Sequence, residues 1–247
     1  MKQFLLQRDA FDEEDYVYRS NLHPSAPLPS SLDLRCLFPP ITNQGNLGSC
    51  ALNAATAYLE FLQMQKLKVK NRLSRLFLYW NVRKRMNTLD LDSGCTLRDV
   101  VKSLNKEGVC SESLWRYFIS WFKKEPSTKC YEDALTNTIS SYERISPLLQ
   151  ELKTCIADGN PVFFGIMIYQ SMMSKEVELT GIVPMPDLSE PSKGGHAMLI
   201  VGYDDEKKAF AVRNSWGKNW GIKGYCYMPY AYVCNNQYAF DFWKMSI

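Results

Sequence analysis

Asn43-Gln44-Gly45-Asn46-Leu47-Gly48-Ser49-Cys50 is the stretch on which the reading of the chain turns. It carries two glycines, at 45 and 48, that let the backbone turn tightly and leave room for a ligand beside it. Directly after it, Leu52, Ala55, Leu59 and Leu62 recur at helical spacing with Ala and Leu between them, so a helix opens at Cys50. A cysteine at a helix N-terminus feels the positive end of the dipole, which favours thiolate, the nucleophilic form. That location suits covalent catalysis. Taken alone, Cys50 reads equally well as a buried structural cysteine.

Outward from this point the first half continues helical. Ser74 is placed to cap a helix through Leu76, Tyr79, Trp80 and Val82. Thr96 can cap another, with Val100, Val101 and Leu104 on one face and Gly108 as its stop. A further helix is expected with Ser146 as cap, Pro147 at its first position and Gly159 at its end. Beyond Gly159 the period changes. Pro161 to Tyr169, His196 to Tyr203, Ala209 to Asn214 and Tyr225 to Met228 are short apolar or aromatic runs separated by turn residues, as strands would be. Helices first and strands second predict an α+β protein of two lobes.

Two strand ends hold the other candidate groups. Lys193-Gly194-Gly195-His196-Ala197 leads into a long apolar run, which puts an imidazole at a strand entrance, where clefts open. Arg213-Asn214-Ser215-Trp216-Gly217-Lys218-Asn219-Trp220-Gly221 follows. An Asn side chain can accept a hydrogen bond from one imidazole nitrogen and so fix the tautomer of the other. Singly, His196 reads as a satisfied core histidine, Asn214 as a turn residue and the tryptophans as packing.

In combination these segments resemble the papain family of cysteine peptidases, over nearly the whole length from about Leu28. Gln44 six residues before Cys50, Gly-Ser directly before it, Gly-His-Ala, and Asn-Ser-Trp-Gly-x-x-Trp-Gly form the family's signature. The resemblance implies a papain-like fold, a helical lobe over about 45–145 and an antiparallel β-barrel-like lobe over about 146–247, with a cleft between. It implies that Cys50 attacks the scissile carbonyl as thiolate, that His196 is its base and then the acid, and that Asn214 orients His196. Gln44 and the Cys50 amide would hold the oxyanion. Trp216 would cover the His–Asn bond and wall the primed side. No cofactor and no metal is implied.

Asp92-Ser93-Gly94-Cys95-Thr96-Leu97 stands where the family has its Gly-Gly substrate loop. Gly94 and Gly195 would let an extended peptide approach, and Thr96, Leu97 and Ala197 would line an apolar pocket. Cys95 replaces the second glycine, and Thr96 reads equally as a helix cap. Leu47 and Ala51 stand where secreted members have a cysteine and an aromatic. With Leu-Gly-Ser-Cys and Leu-Pro-Ser-Ser-Leu-Asp-Leu-Arg, this resembles the bacterial and viral xylellain-like branch. The usual long propeptide is replaced by residues 1–30, expected to act as a leader or strap ahead of a peptidase domain at 31–247. Phe4, Leu5, Leu6, Phe11, Tyr16 and Tyr18 would hold it down. Asp12-Glu13-Glu14-Asp15 favours a solvated tail instead.

Composition narrows the remainder. A net charge of +3 is too mild for a nucleic-acid binder. No apolar run approaches the roughly 18 residues that span a bilayer, and the start lacks an export h-region. An intracellular protein is therefore expected, in a host cell or virion if viral, with its eight cysteines reduced. Whether Cys110 and Cys130 pair stays open. Of two histidines, His23 reads as a loop residue in a proline-rich linker, so His196 is the only candidate base. Expected partners are peptide or protein substrates and cystatin-like inhibitors, met by a monomer. A related acyl-transfer enzyme and a non-enzymatic binding protein on the same fold are the competing readings.

Overall fold

The computed structural model describes residues 2–20, 27–187 and 189–247. His23 therefore lies outside the described residues. Helix α1, Cys50–Leu62, is buried along every residue. Its Ala-rich sequence lets neighbouring backbone approach closely, and it packs on α2, α3 and the sheet. Helix α2, Arg75–Arg85, begins where the Ser74 hydroxyl accepts from the Phe77 amide. Helix α3, Leu97–Lys106, begins where Thr96 accepts from the Asp99 amide and donates to its carboxylate, a two-way cap. Gly108, at φ +68°, ends that turn. Short α4, Thr128–Ala134, completes the helical side.

The strands are β1 Ser31–Asp33, β2 Ser141–Arg144, β3 Val162–Tyr169, β4 Ser192–Asp204, β5 Ala209–Arg213, β6 Tyr225–Pro229 and β7 Ala239–Ser246. Helices α5 Leu149–Ala157, α6 Lys175–Thr180 and α7 Tyr230–Val233 lie between them. The antiparallel order is β2-β7-β3-β4-β5-β6, with β1 also on β4. Among the described residues the edge strands β2 and β6 do not meet, so the expected barrel-like lobe is an open twisted sheet. The short β2 lies in this sheet although the residues before it belong to the helices.

One further expectation is corrected. Helix α5 starts at Leu149 with Leu148 at the cap, not at Ser146–Pro147. Pro147 instead sits in the bend before the helix. Strand β7 went unread because it follows the last turn signal and mixes charged with aromatic residues. Its Ala239-Phe240-Asp241-Phe242-Trp243 alternation pairs with β3 and β2.

Candidate active site

Cys50 is the first residue of α1, and its thiol faces the backbone amide of Ala197 on β4. The β4–β5 register, Leu199 opposite Arg213, carries Asn214 past the end of β5 alongside His196. His196 Nε2 lies 2.9 Å from Asn214 Oδ1. The Ser215 amide donates to the same oxygen at 2.8 Å, which fixes Oδ1 as an acceptor and so Nε2–H as the donor. Nδ1 of the neutral ring is then a bare acceptor, buried with no hydrogen-bond partner among the described residues. Trp216 stacks obliquely on His196, ring centroids 4.9 Å apart, and shields that bond from water.

Gln44 is brought in by a short lacing of segment 42–44 onto 215–217. The Gln44 amide donates to Ser215 O at 2.9 Å and the Gly217 amide to Thr42 O at 3.0 Å. The Gln44 side-chain oxygen accepts from the Ser215 hydroxyl at 2.7 Å, and one Nε2 hydrogen goes to Leu47 O at 3.0 Å. The second Nε2 hydrogen and the orphan Cys50 amide at the helix start remain for a ligand.

Electrostatics in this state oppose the thiolate expected from the helix terminus. Burial pushes the Cys50 thiol up to about 11, against the lowering pull of the amides of Ala197, Ala51 and Cys50 itself. Burial likewise brings His196 down to about 4, with the Asn214 bond opposing and Lys2 assisting. Both shifts favour the neutral forms. Desolvation outweighs the helix dipole here.

The cover that contributes to this burial includes the chain's own N-terminal segment. Leu5 and Leu6 bridge to Gly195 and Gln7 to Thr96, with the Leu6 amide on Gly195 O and the Gln7 amide on Cys95 O. Phe4 meets His196 edge-on at 6.0 Å and Trp216 at 6.1 Å. Lys2 lies 5.0 Å over the Trp216 ring. Only glycine fits beneath: a Cβ at Gly94 would lie 2.0 Å from Leu5 O, and one at Gly195 2.2 Å from Leu6 O. The space expected beside Gly48 is taken too, by Leu5 and Asp92.

Further along, two of the six expected anchors do not hold. Leu6 and Tyr18 are buried, but Phe11 is 90% and Tyr16 77% exposed. Asp9 and Asp15 hold the segment as well. Arg98 pairs with Asp15 at 2.5 Å, and Arg144 reaches Asp9, Asp15 and Asp241 at 3.0, 2.7 and 2.9 Å. Burial, then Asp241, pushes the Asp9 carboxyl up. For Asp15 burial is outweighed by hydrogen bonds from Arg98 and Arg144, so it sits below the ordinary range. Within the run Asp12–Asp15, Asp15 is anchored by two body arginines while Glu13 and Glu14 are exposed.

Of the substrate-loop residues, Gly94 takes φ +66° and donates its amide to Tyr79. Cys95 is buried, Thr96 caps α3, and Leu97 and Ala197 are buried in the core. The reading from sequence missed Ser215, Asp92, which accepts from the Gly48 amide at 3.1 and 3.0 Å, and Tyr117. Ser215 and Asp92 lie inside quoted segments, but their partners, like those of Tyr117, are brought near only by folding. All eight cysteines are free thiols, Cys110 beside Cys130 included. Among the described residues no group of three or more His, Cys, Asp or Glu side chains is arranged to hold a metal.

A helical side and an open antiparallel sheet that meet at a buried Cys, His and Asn define the cysteine-protease class. The chain belongs to the papain family: the model of the papain family cysteine proteases matches residues 28–240. An uncharacterized peptidase C1-like protein of Acanthamoeba polyphaga mimivirus is 39% identical over 210 residues, 81% of this chain and 68% of that protein. The crystal structure of xylellain, a cysteine protease from Xylella fastidiosa, superposes with a TM-score of 0.92 at 37% identity, covering 99% of this chain and 97% of that one. Bovine pro-cathepsin H is 27% identical over 83% of this chain, which spans only 61% of that relative.

Proposed function

We propose that this protein is an endopeptidase that cleaves peptide bonds through a thioester on Cys50. The observation that carries the reading is the His196–Asn214 hydrogen bond, which leaves Nδ1 of a fixed tautomer as the acceptor for the thiol proton. Nδ1 takes the Cys50 proton, and the thiolate adds to the scissile carbonyl carbon. Negative charge develops on the carbonyl oxygen, where the free Gln44 Nε2–H and the Cys50 N–H receive it. As the C–N bond breaks, the imidazolium returns its proton to the leaving amine. Water, deprotonated by Nδ1, then attacks the thioester, releases the acid and restores the thiol. Residues 31–247 form the peptidase domain, working as a monomer on extended peptides laid along Gly94 and Gly195, and residues 1–30 a strap that restricts it.

The test is labelling with a thiol-reactive peptide probe, mapped by mass spectrometry, beside cleavage of a peptide library under reducing conditions. Label on Cys50 with matching cleavage supports the reading. Cleavage that persists after Cys50 is fully labelled, or label confined to the exposed Cys36, overturns it. A second expectation separates the roles of base and orienter. His196→Ala removes the proton acceptor, whereas Asn214→Ala leaves an imidazole that still samples the right tautomer. The alanine at 196 should cost at least roughly tenfold more kcat than the one at 214. Equal losses in steady-state kinetics would contradict that division.

A further inference from the structure

We propose that Tyr117 is a positioning residue that holds the two oxyanion donors at a fixed separation; this rests on the peptidase reading above. The donors, the Gln44 side chain and the Cys50 amide, are joined by a loop containing Gly45 and Gly48. Gly45 adopts φ +65°, so the loop has little stiffness of its own. From the sheet side, Ser215 holds Gln44. From the helical side, one hydroxyl holds both ends. Tyr117 Oη donates to Gln44 O at 2.9 Å and lies 2.5 Å from Ser49 Oγ, immediately before Cys50. A phenol has one hydrogen, so the bond to Gln44 makes it the acceptor from Ser49.

Each partner is itself fixed. Ser49 O and Oγ accept from Asn53 Nδ2 at 2.9 and 3.2 Å, on the next turn of α1. Asn53 Oδ1 accepts from Arg75 at 3.1 Å, and the Arg75 guanidinium lies 4.0 Å over the Tyr117 ring. Glu112 pairs with Arg75 at 3.3 Å and accepts the Tyr117 amide at 2.8 Å. Backbone, ring and hydroxyl of Tyr117 are thus all set from the helical lobe. The same segment closes over the loop: a Cβ on Gly45 would lie 2.8 Å from Ile119 Cδ1. The Tyr117 hydroxyl bonds Gln44 and Ser49, and its effect passes through them. An oxyanion site gains its effect from donors already in place, and a loop freed by a few tenths of an ångström loses part of it.

The test uses Tyr117→Phe in the full chain, which deletes only the hydroxyl. Four quantities are read: kcat, KM, affinity for a peptide aldehyde, and the rate of iodoacetamide alkylation. The aldehyde adds the thiol and places an oxygen in the oxyanion site. Iodoacetamide loses iodide to the thiolate and needs no such site, so it also controls for how often the strap opens. Tyr117→Phe should lower kcat and aldehyde affinity together by roughly tenfold, with KM, alkylation and melting temperature unchanged. Gln44→Ala should show the same split at roughly 10²-fold, and the double variant should lose less than the product of the two single losses. Ser49→Ala should give a smaller loss of the same pattern and carries the test if the phenylalanine variant fails to fold.

Unchanged kcat and aldehyde affinity in Tyr117→Phe, beside losses in Gln44→Ala, would refute the role of Tyr117 and leave the peptidase reading intact. A fall in alkylation matching the fall in kcat would show a general structural effect and also refute it. Wild-type behaviour of Gln44→Ala would instead bring down the oxyanion assignment itself.

Discussion

Cys50→Ala is expected to remove peptide hydrolysis to within the background, a loss on the order of 10⁶ in kcat when the nucleophile of such a pair is deleted. No neighbouring group can substitute. Cys95 is buried in the core, with burial and the nearby Cys50 pushing its thiol up. Cys36 is exposed, and Cys36→Ala should keep full activity. The fold should survive the change at Cys50, because alanine suits the first turn of a helix and the lost sulfur leaves only a small cavity. Peptide binding by a non-hydrolysable analogue should be retained, which distinguishes a missing nucleophile from a collapsed cleft. Turnover above about 1% in Cys50→Ala, after contaminating protease is excluded, would place the nucleophile elsewhere.

Much of this site was legible because its parts sit at element ends that the sequence marks by itself. The Gly-flanked Cys50, the Gly-Gly entrance to His196 and the Asn-Ser-Trp-Gly turn each state a local conformation, and the helix periodicity after Cys50 states the next element. Where reading failed, the information was not local. The pairing of Asp15 is of this kind: charge without apolar spacing gives no sign of burial, and Arg98 and Arg144 that face it are far along the chain. Phe11 and Tyr16 read as anchors on hydrophobicity alone, yet the backbone points them to solvent. Tyr117 stands in the aromatic run Trp115-Arg116-Tyr117-Phe118, whose bland reading is packing. Only its hydroxyl distances separate it from its neighbours. The raised thiol has a similar origin: the dipole is local, but the desolvation that opposes it comes in part from Phe4, Leu5 and Leu6.

That desolvation yields the last expectation. A chain beginning at Pro27 should cleave short peptides with kcat/KM raised by roughly 10²-fold and bind a cystatin-like inhibitor tighter by a similar factor, since both need the surface under Leu5 and Leu6. Asp15→Ala in the full chain should give a milder gain of roughly tenfold: its carboxylate meets both Arg98 and Arg144, and it belongs to the strap, so the peptidase body is untouched. The mechanism of release is electrostatic as well as steric. With the thiol pushed up to about 11, only about one molecule in 10⁴ is thiolate at pH 7, and alkylation should rise about tenfold per pH unit toward that value. Without Phe4, Leu5 and Leu6 the amides of Ala197, Ala51 and Cys50 still lower the thiol while the opposing burial is relieved, and His196 regains a proton. The alkylation profile should then become high and nearly flat from about pH 5 to 8, as for a His-paired thiolate. A truncated protein that melts cooperatively yet keeps the steep profile and the full chain's kcat/KM would show that residues 2–20 merely lie on the cleft without governing it.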